Sequence, residues 1–223
     1  MTNLARTAAL VTAILLYAVT ASADQKKLAD RFTPQNSAVL LVDHQKLTVD
    51  WLKSQPRASF VQNLRMLTRI SVEGGIPLLI TSTMEDQVAG PTIKDLQDLA
   101  PKQYAARIKR GGTLDAFADP AFKAAVKALG RKKLVIAGLM TDICLFHTVE
   151  SALREGYQVW VVADASGSMN ATADQLALAQ MRDLGAIVTG ANSVMSELFN
   201  DFGTADGAKV MKINLEEIIS KLN

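Results

Sequence analysis

The chain has 223 residues with 24 Lys and Arg against 22 Asp and Glu, so composition points to neither a nucleic-acid partner nor an acidic membrane surface. One cysteine cannot close an intramolecular disulfide, and two histidines beside a single thiol make a poor ligand set for structural zinc. An apolar content of 49% at this length provides for one domain with a sizeable core.

The chain opens with "MTNLARTAALVTAILLYAVTASADQ": one positive charge at Arg6, an uncharged apolar stretch from Ala8 to Val19, then Ala21-Ser22-Ala23. This is the pattern of a secretory signal peptide, with cleavage expected after Ala23 and a periplasmic or secreted product. The other reading is an uncleaved anchor, but the apolar run is shorter than the roughly 18 to 20 residues a spanning helix needs. Residues 24–223 are then expected to form a single domain with no membrane association. In an oxidising compartment a lone thiol is either buried and inert or used for chemistry.

Next come apolar runs without alternation: "SAVLLVD" (Ser37 to Asp43), "PLLITS" (Pro77 to Ser82), "KLVIAG" (Lys133 to Gly138), "YQVWVVAD" (Tyr157 to Asp164) and "AIVTG" (Ala186 to Gly190). Such runs suit strands covered on both faces, as in a parallel sheet. Helical spacing is legible over Phe60 to Val72, Pro120 to Leu129, Cys144 to Glu155 and Thr172 to Leu184, each followed by a glycine that predicts a left-handed stop. "INLEEIISKLN" reads as a last amphipathic helix. Strand and helix in alternation predict right-handed crossovers and a doubly wound, mainly parallel α/β/α sandwich. The stretch from Thr83 to Phe117 shows no clear strand and reads as a loop-rich insertion fit for pocket walls or subunit contacts.

In open parallel sheets the ligand crevice lies beyond the carboxyl ends of the strands, where strand order reverses. Asp43 closes the first apolar run and Cys144 follows the third by one short turn, so a reversal between those strands would face both side chains into one crevice. Thr141-Asp142 offers caps that would set Cys144 in the first turn of a helix, where unpaired amides favour an anion. A thiolate there would have a lowered pKa, and the same amides could hold an oxyanion. The plain alternatives are a small core residue for Cys144 and a turn cap for Asp43.

"AVLLVDHQ", "IPLLITS" and "VIAGLMTDICLFHTVESALREGYQVWVVADASGS" resemble the isochorismatase-like cysteine hydrolases, most closely the YcaC-like branch. The resemblance runs from about Ser37 to Phe202. It implies an aspartate, a cation and a cysteine acting together, with Asp43 and Cys144 as the first and last members. It implies a cis Leu139-Met140 bond that lets the Met140 and Cys144 amides converge on one oxygen. For the cation it leaves Arg110 and Lys109 open, with Arg110 favoured in the ungapped match. Gln45 and the segment Thr81 to Thr83 would line the pocket. His44 should point away from Asp43, because adjacent strand residues face opposite ways, and the nicotinamidase relatives' Asp-x-His metal arrangement is missing. His147, three residues after Cys144, offers a competing cysteine–histidine dyad.

The function so implied is hydrolysis, without a cofactor, of a small amide or related acyl compound through a thioester, in a protein expected to be a homo-oligomer. The alternative is a non-catalytic oligomeric binding or thiol-sensing protein that keeps the fold. Neither G-x-G-x-x-G nor G-x-x-x-x-G-K-[ST] occurs, which disfavours nucleotide binding.

Overall fold

A computed structural model describes residues 31–222, and the expected signal peptide at residues 1–23 lies outside them. The architecture is that of the compact unit from Thr33 onward. Among the described residues six strands, β1 (Ser37–Val42), β2 (Leu78–Thr83), β3 (Ile108–Arg110), β4 (Lys133–Gly138), β5 (Gln158–Val162) and β6 (Ile187–Thr189), form one parallel sheet in the order β3-β2-β1-β4-β5-β6. Every β1 and β4 residue is buried, which is why these two central strands read as unbroken apolar runs.

The helices in chain order are α1 (Lys46–Asp50), α2 (Arg57–Glu73), α3 (Lys94–Leu99), α4 (Pro101–Ala105), α5 (Pro120–Ala128), α6 (Phe146–Arg154), α7 (Ala171–Asp183), α8 (Ala191–Leu198) and α9 (Ala205–Glu217). On one face of the sheet, Leu40, Val42, Ile136 and Val161 share a buried cluster with Phe122 of α5, Val149 of α6 and Met181 of α7. A second buried stripe, Phe60, Leu64, Leu67 and Ile70, runs along α2, which packs against α8 and α9. Each such side chain contributes about 1.5–3 kcal/mol on burial.

Three expectations are corrected. The stretch from Thr83 to Phe117 does hold a strand: β3 is an edge strand of three residues, too short to show a pattern, pairing Thr83 with Arg110. The helix expected from Cys144 begins at Phe146, because Thr141–Leu145 form a π-helical turn in which Leu145 N–H donates to Met140 O at 3.2 Å. The last helix starts at Ala205, not at Ile213, with the Thr204 hydroxyl accepting from Gly207 N–H at 3.0 Å.

Chain order reverses between β1 and β4, the pair in register from Ser37–Lys133 to Val42–Gly138. Gly138 makes their closest approach possible, since a Cβ there would meet both Cβ and the carbonyl oxygen of Val42 at 3.0 Å. The two chains that leave the sheet at this point carry Asp43 and Cys144.

Candidate active site

Asp43 leaves β1 in the left-handed region, φ 56, which a short polar residue tolerates better than a branched one. Hydrogen bonds hold the turn: Asp43 N–H donates to Thr81 O at 3.0 Å, and its carbonyl accepts from Gln45 N–H at 2.8 Å and Thr48 Oγ1 at 2.6 Å. The carboxylate reaches Arg110 at the end of β3, with Nη2 2.5 Å from each oxygen and both side chains fully buried. Arg110 is fixed further by Nε to Thr81 Oγ1 at 3.0 Å and Nη1 to Thr113 O at 2.5 Å. Thr81 in turn donates to Ile108 O at 2.8 Å.

Cys144 lies in the π-turn, where its thiol feels both the Asp43 charge and the Arg110 guanidinium. Leu139-Met140 is a cis peptide. Cys144 and Met140 line a cavity of about 230 Å³ whose other walls include Leu47, Trp51, Met84, Val88, Leu114 and Ile143. These walls come from α1 and its exit, from the β2–β3 connection, from the segment after β3 that carries Leu114, and from the turn itself.

The electrostatics correct the expectation of an acidified thiol. Burial first, and then the neighbouring Asp43 charge, push the Cys144 thiol up to about 12. The residue is 6% exposed and sits in a π-turn rather than at a capped α-helix start, and no side chain caps that turn. Asp142, expected as a cap, instead accepts from Ser168 Oγ at 2.6 Å. Burial also raises the Asp43 carboxyl, against the opposing pull of Arg110. Burial thus disfavours the charged form of both groups, and Arg110 opposes that effect on each.

The two candidate cations separate cleanly. Lys109 points outward, its Nζ 2.9 Å from the exposed Asp86 and 3.8 Å from Glu85, and it takes no part in the cluster around Cys144. Alternation along β3 sends adjacent side chains to opposite faces, and only Arg110 faces Asp43. His147 is also corrected: it is half-buried, with Nδ1 3.9 Å from Glu150, and it does not line the cavity. Gln45 is buried and braces the backbone, donating to Thr83 O at 2.9 Å and Gly90 O at 2.6 Å while accepting from Thr83 N–H at 2.8 Å. Neither it nor Thr81 lines the cavity; of the segment 81–83 only Thr83 does. His44 turns away to place Nε2 3.0 Å from Ala165 O and to stack on Phe60, and burial lowers its pKa to about 4.

The stretch from Thr83 to Phe117, expected to supply pocket walls, does supply Met84, Val88 and Leu114, while sequence reasoning missed Leu47 and Trp51. Leu47 and Trp51 belong to a five-residue helix and its cap, and Val88 and Leu114 to irregular segments without periodicity. An exposed Trp51, eight positions after a strand-end aspartate, was the available signal. Among the described residues no group of three or more His, Cys, Asp or Glu side chains gathers as a metal site would require. No described helix is long and apolar enough to cross a membrane.

Comparison with known proteins agrees with this arrangement. Residues 37–193 match the model of the isochorismatase domain. The chain is 32% identical to "Probable hydrolase YcaC" of Escherichia coli over 172 residues, 77% of this chain and 82% of that protein. The structure of YcaC from Pseudomonas aeruginosa with hexane-2,5-diol and covalent acrylamide superposes with a TM-score of 0.80 at 33% identity, covering 86% of this chain and 93% of that one. The E. coli YcaC structure, described as an octameric hydrolase of unknown specificity, superposes with a TM-score of 0.79 at 30% identity over 85% and 92% of the two chains. With a family match across most of its length and a doubly wound parallel sheet like that of its relatives, the chain belongs to the isochorismatase family.

Proposed function

We propose that this protein is a cysteine hydrolase that cleaves a small amide or related acyl compound. The observation that supports the reading is the fully buried Asp43–Arg110 pair whose charges act on the thiol of Cys144, a residue that lines an apolar cavity. Asp43, its basicity raised by burial, takes the thiol proton as sulfur attacks the carbonyl carbon. A thiol pushed up to about 12 is a poor spontaneous nucleophile, so proton removal and attack go together. The backbone N–H groups of Met140 and Cys144 receive the negative oxygen of the tetrahedral species. Collapse expels the amine, which takes the proton back from Asp43 and leaves a thioester. Water then attacks the thioester, giving its proton to Asp43, and the carboxylic acid departs as the thiol reforms. Arg110 keeps Asp43 aligned and compensates its charge; its guanidinium is not a proton donor in this cycle.

The covalent acrylamide in the P. aeruginosa relative supports a site open to small amides. An octameric E. coli relative supports a homo-oligomer here too. Export to a periplasmic or extracellular space follows from the leader pattern at residues 1–23. The test is turnover of a panel of small carboxamides and esters by the wild type and by Cys144→Ala. Loss of about a thousandfold or more in kcat is expected for the variant; full turnover by Cys144→Ala removes the mechanism.

One observation favours the second reading in its binding form, and tells against its thiol-sensing form: the largely buried thiol resists ionisation. That reading requires no turnover on any amide or ester and no alkylation of Cys144 by iodoacetamide at pH 7.5.

A further inference from the structure

The cavity over Cys144 is unusual in what its walls lack. None of the lining side chains is Lys, Arg, His, Asp or Glu. Its two threonine hydroxyls are engaged with backbone: Thr48 Oγ1 with Asp43 O and Thr83 Oγ1 with Gly111 O, both at 2.6 Å. Arg110, the nearest cation, is fully buried, with Nη2 on Asp43, Nε on Thr81 and Nη1 on Thr113 O. Lys109 turns to Asp86 outside. The polar groups that remain on the lining residues are the Cys144 thiol, the Trp51 indole N–H and backbone, a set that holds no counter-ion for a charged occupant.

Size narrows the occupant further. An apolar cavity of about 150 Å³ holds a benzene ring; this one, about 230 Å³, holds about nine non-hydrogen atoms on the same scale. We infer that the substrate is an electrically neutral acyl compound of about benzamide size whose acyl portion is wholly apolar, and that carboxylate-bearing acyl compounds are rejected. The inference rests on the hydrolase reading and names its substrate class. The physical ground is desolvation: an anionic acyl chain would lose its water against leucine, valine and tryptophan with no counter-ion to replace it. Trp51, Val88 and Leu114 hold the mouth, at 42%, 66% and 48% exposure, and are the specificity-determining positions.

The experiment compares kcat/KM for size-matched pairs, hexanamide with 4-amino-4-oxobutanoate and heptanamide with 5-amino-5-oxopentanoate, in the wild type and in Val88→Lys. A preference of at least a hundredfold for each neutral member is expected, and it should shrink at least tenfold in Val88→Lys, which brings an ammonium to the rim at an exposed position. Equal rates for neutral and anionic members in the wild type overturn the inference while leaving the hydrolase reading intact. An unchanged ratio in Val88→Lys overturns it as well, because the acyl group then lies elsewhere. A second readout is independent of turnover: alkylation by N-phenylacrylamide against 4-acrylamidobenzoate, followed by intact mass. The sulfur adds to the terminal vinyl carbon, the thiol proton ends on the α-carbon and no group leaves. Cys144 is the chain's single cysteine, so the mass shift reports that site. If no amide is hydrolysed, the hydrolase reading falls and this ratio alone decides: neutral preference upholds the cavity's selectivity, and equal rates overturn it.

Discussion

Arg110 Nη2 stands 2.5 Å from both carboxylate oxygens of Asp43, and neither side chain has any exposure. Removing one member leaves the other as an uncompensated buried charge. Arg110→Met is therefore expected to lose about 3–5 kcal/mol of stability, read as a lower midpoint in urea unfolding. Lys109→Met, one residue away on the exposed face, should stay within about 0.5 kcal/mol of wild type and keep its turnover. Equal losses in the two variants would show that the pairing contributes nothing to the fold.

The Asp43 charge raises the Cys144 thiol, while Arg110 opposes it. Asp43→Asn removes the first and leaves the second, so thiolate absorbance at 240 nm, corrected with Cys144→Ala, should appear at lower pH than in wild type. Amide turnover should nevertheless fall, since the proton acceptor is gone. In the wild type the acid limb of kcat/KM should lie above the ordinary carboxylate range, because burial raises Asp43 and the base is lost as pH falls through that raised value. A thiol that titrates unchanged in Asp43→Asn would contradict that effect of the Asp43 charge.

His44 is buried as a neutral imidazole, with its pKa lowered from 6.5 to about 4. A depressed folded value means that its stabilising contribution is complete above pH 6.5 and is lost as pH falls towards 4. The unfolded chain binds the proton over that window and the native one does not. The full effect is about 3 kcal/mol. Urea midpoints at pH 7 and pH 4.5 should converge in His44→Gln relative to wild type; an equally steep decline in both would remove the histidine from the account.

Gly138→Ala places a methyl 3.0 Å from both Val42 Cβ and Val42 O. Overpacking at such a contact costs about 1–3 kcal/mol. The displaced strands are the two that deliver Asp43 and Cys144, so kcat should fall by more than stability loss alone explains at a temperature where the variant is fully folded. Unaltered kcat with a lowered melting temperature would mean that the sheet absorbs the shift without moving the pair.

The central strands were readable because burial on both faces makes β1 and β4 continuous apolar runs, and their carboxyl ends pointed to Asp43 and Cys144. The edge strand β3 was not readable: three residues carry no period, and its meaning lies in the pairing of Thr83 with Arg110. The same gap left Arg110 and Lys109 open, since which one faces Asp43 depends on the pleat of a strand that composition does not reveal. The thiol's acidity was misjudged for a related reason. A cap pattern at Thr141-Asp142 suggests an α-helical start, but the chain makes a π-turn, and desolvation beside Asp43 outweighs the amides. Gln45 follows the aspartate like a pocket residue yet serves as a brace for Thr83 and Gly90.

Asp43, Arg110 and Cys144 hang from the ends of three hydrogen-bonded strands or the turn directly after one, whereas Leu47, Trp51, Val88 and Leu114 belong to a short helix and connecting segments. In the hydrolase proposed here, reactivity and selectivity are thus inherited from different parts of the molecule. Rewriting the connectors could retarget the chemistry to new compounds without recutting the scaffold beneath it, which makes residues 46–51, 84–89 and 114 a compact target for directed diversification.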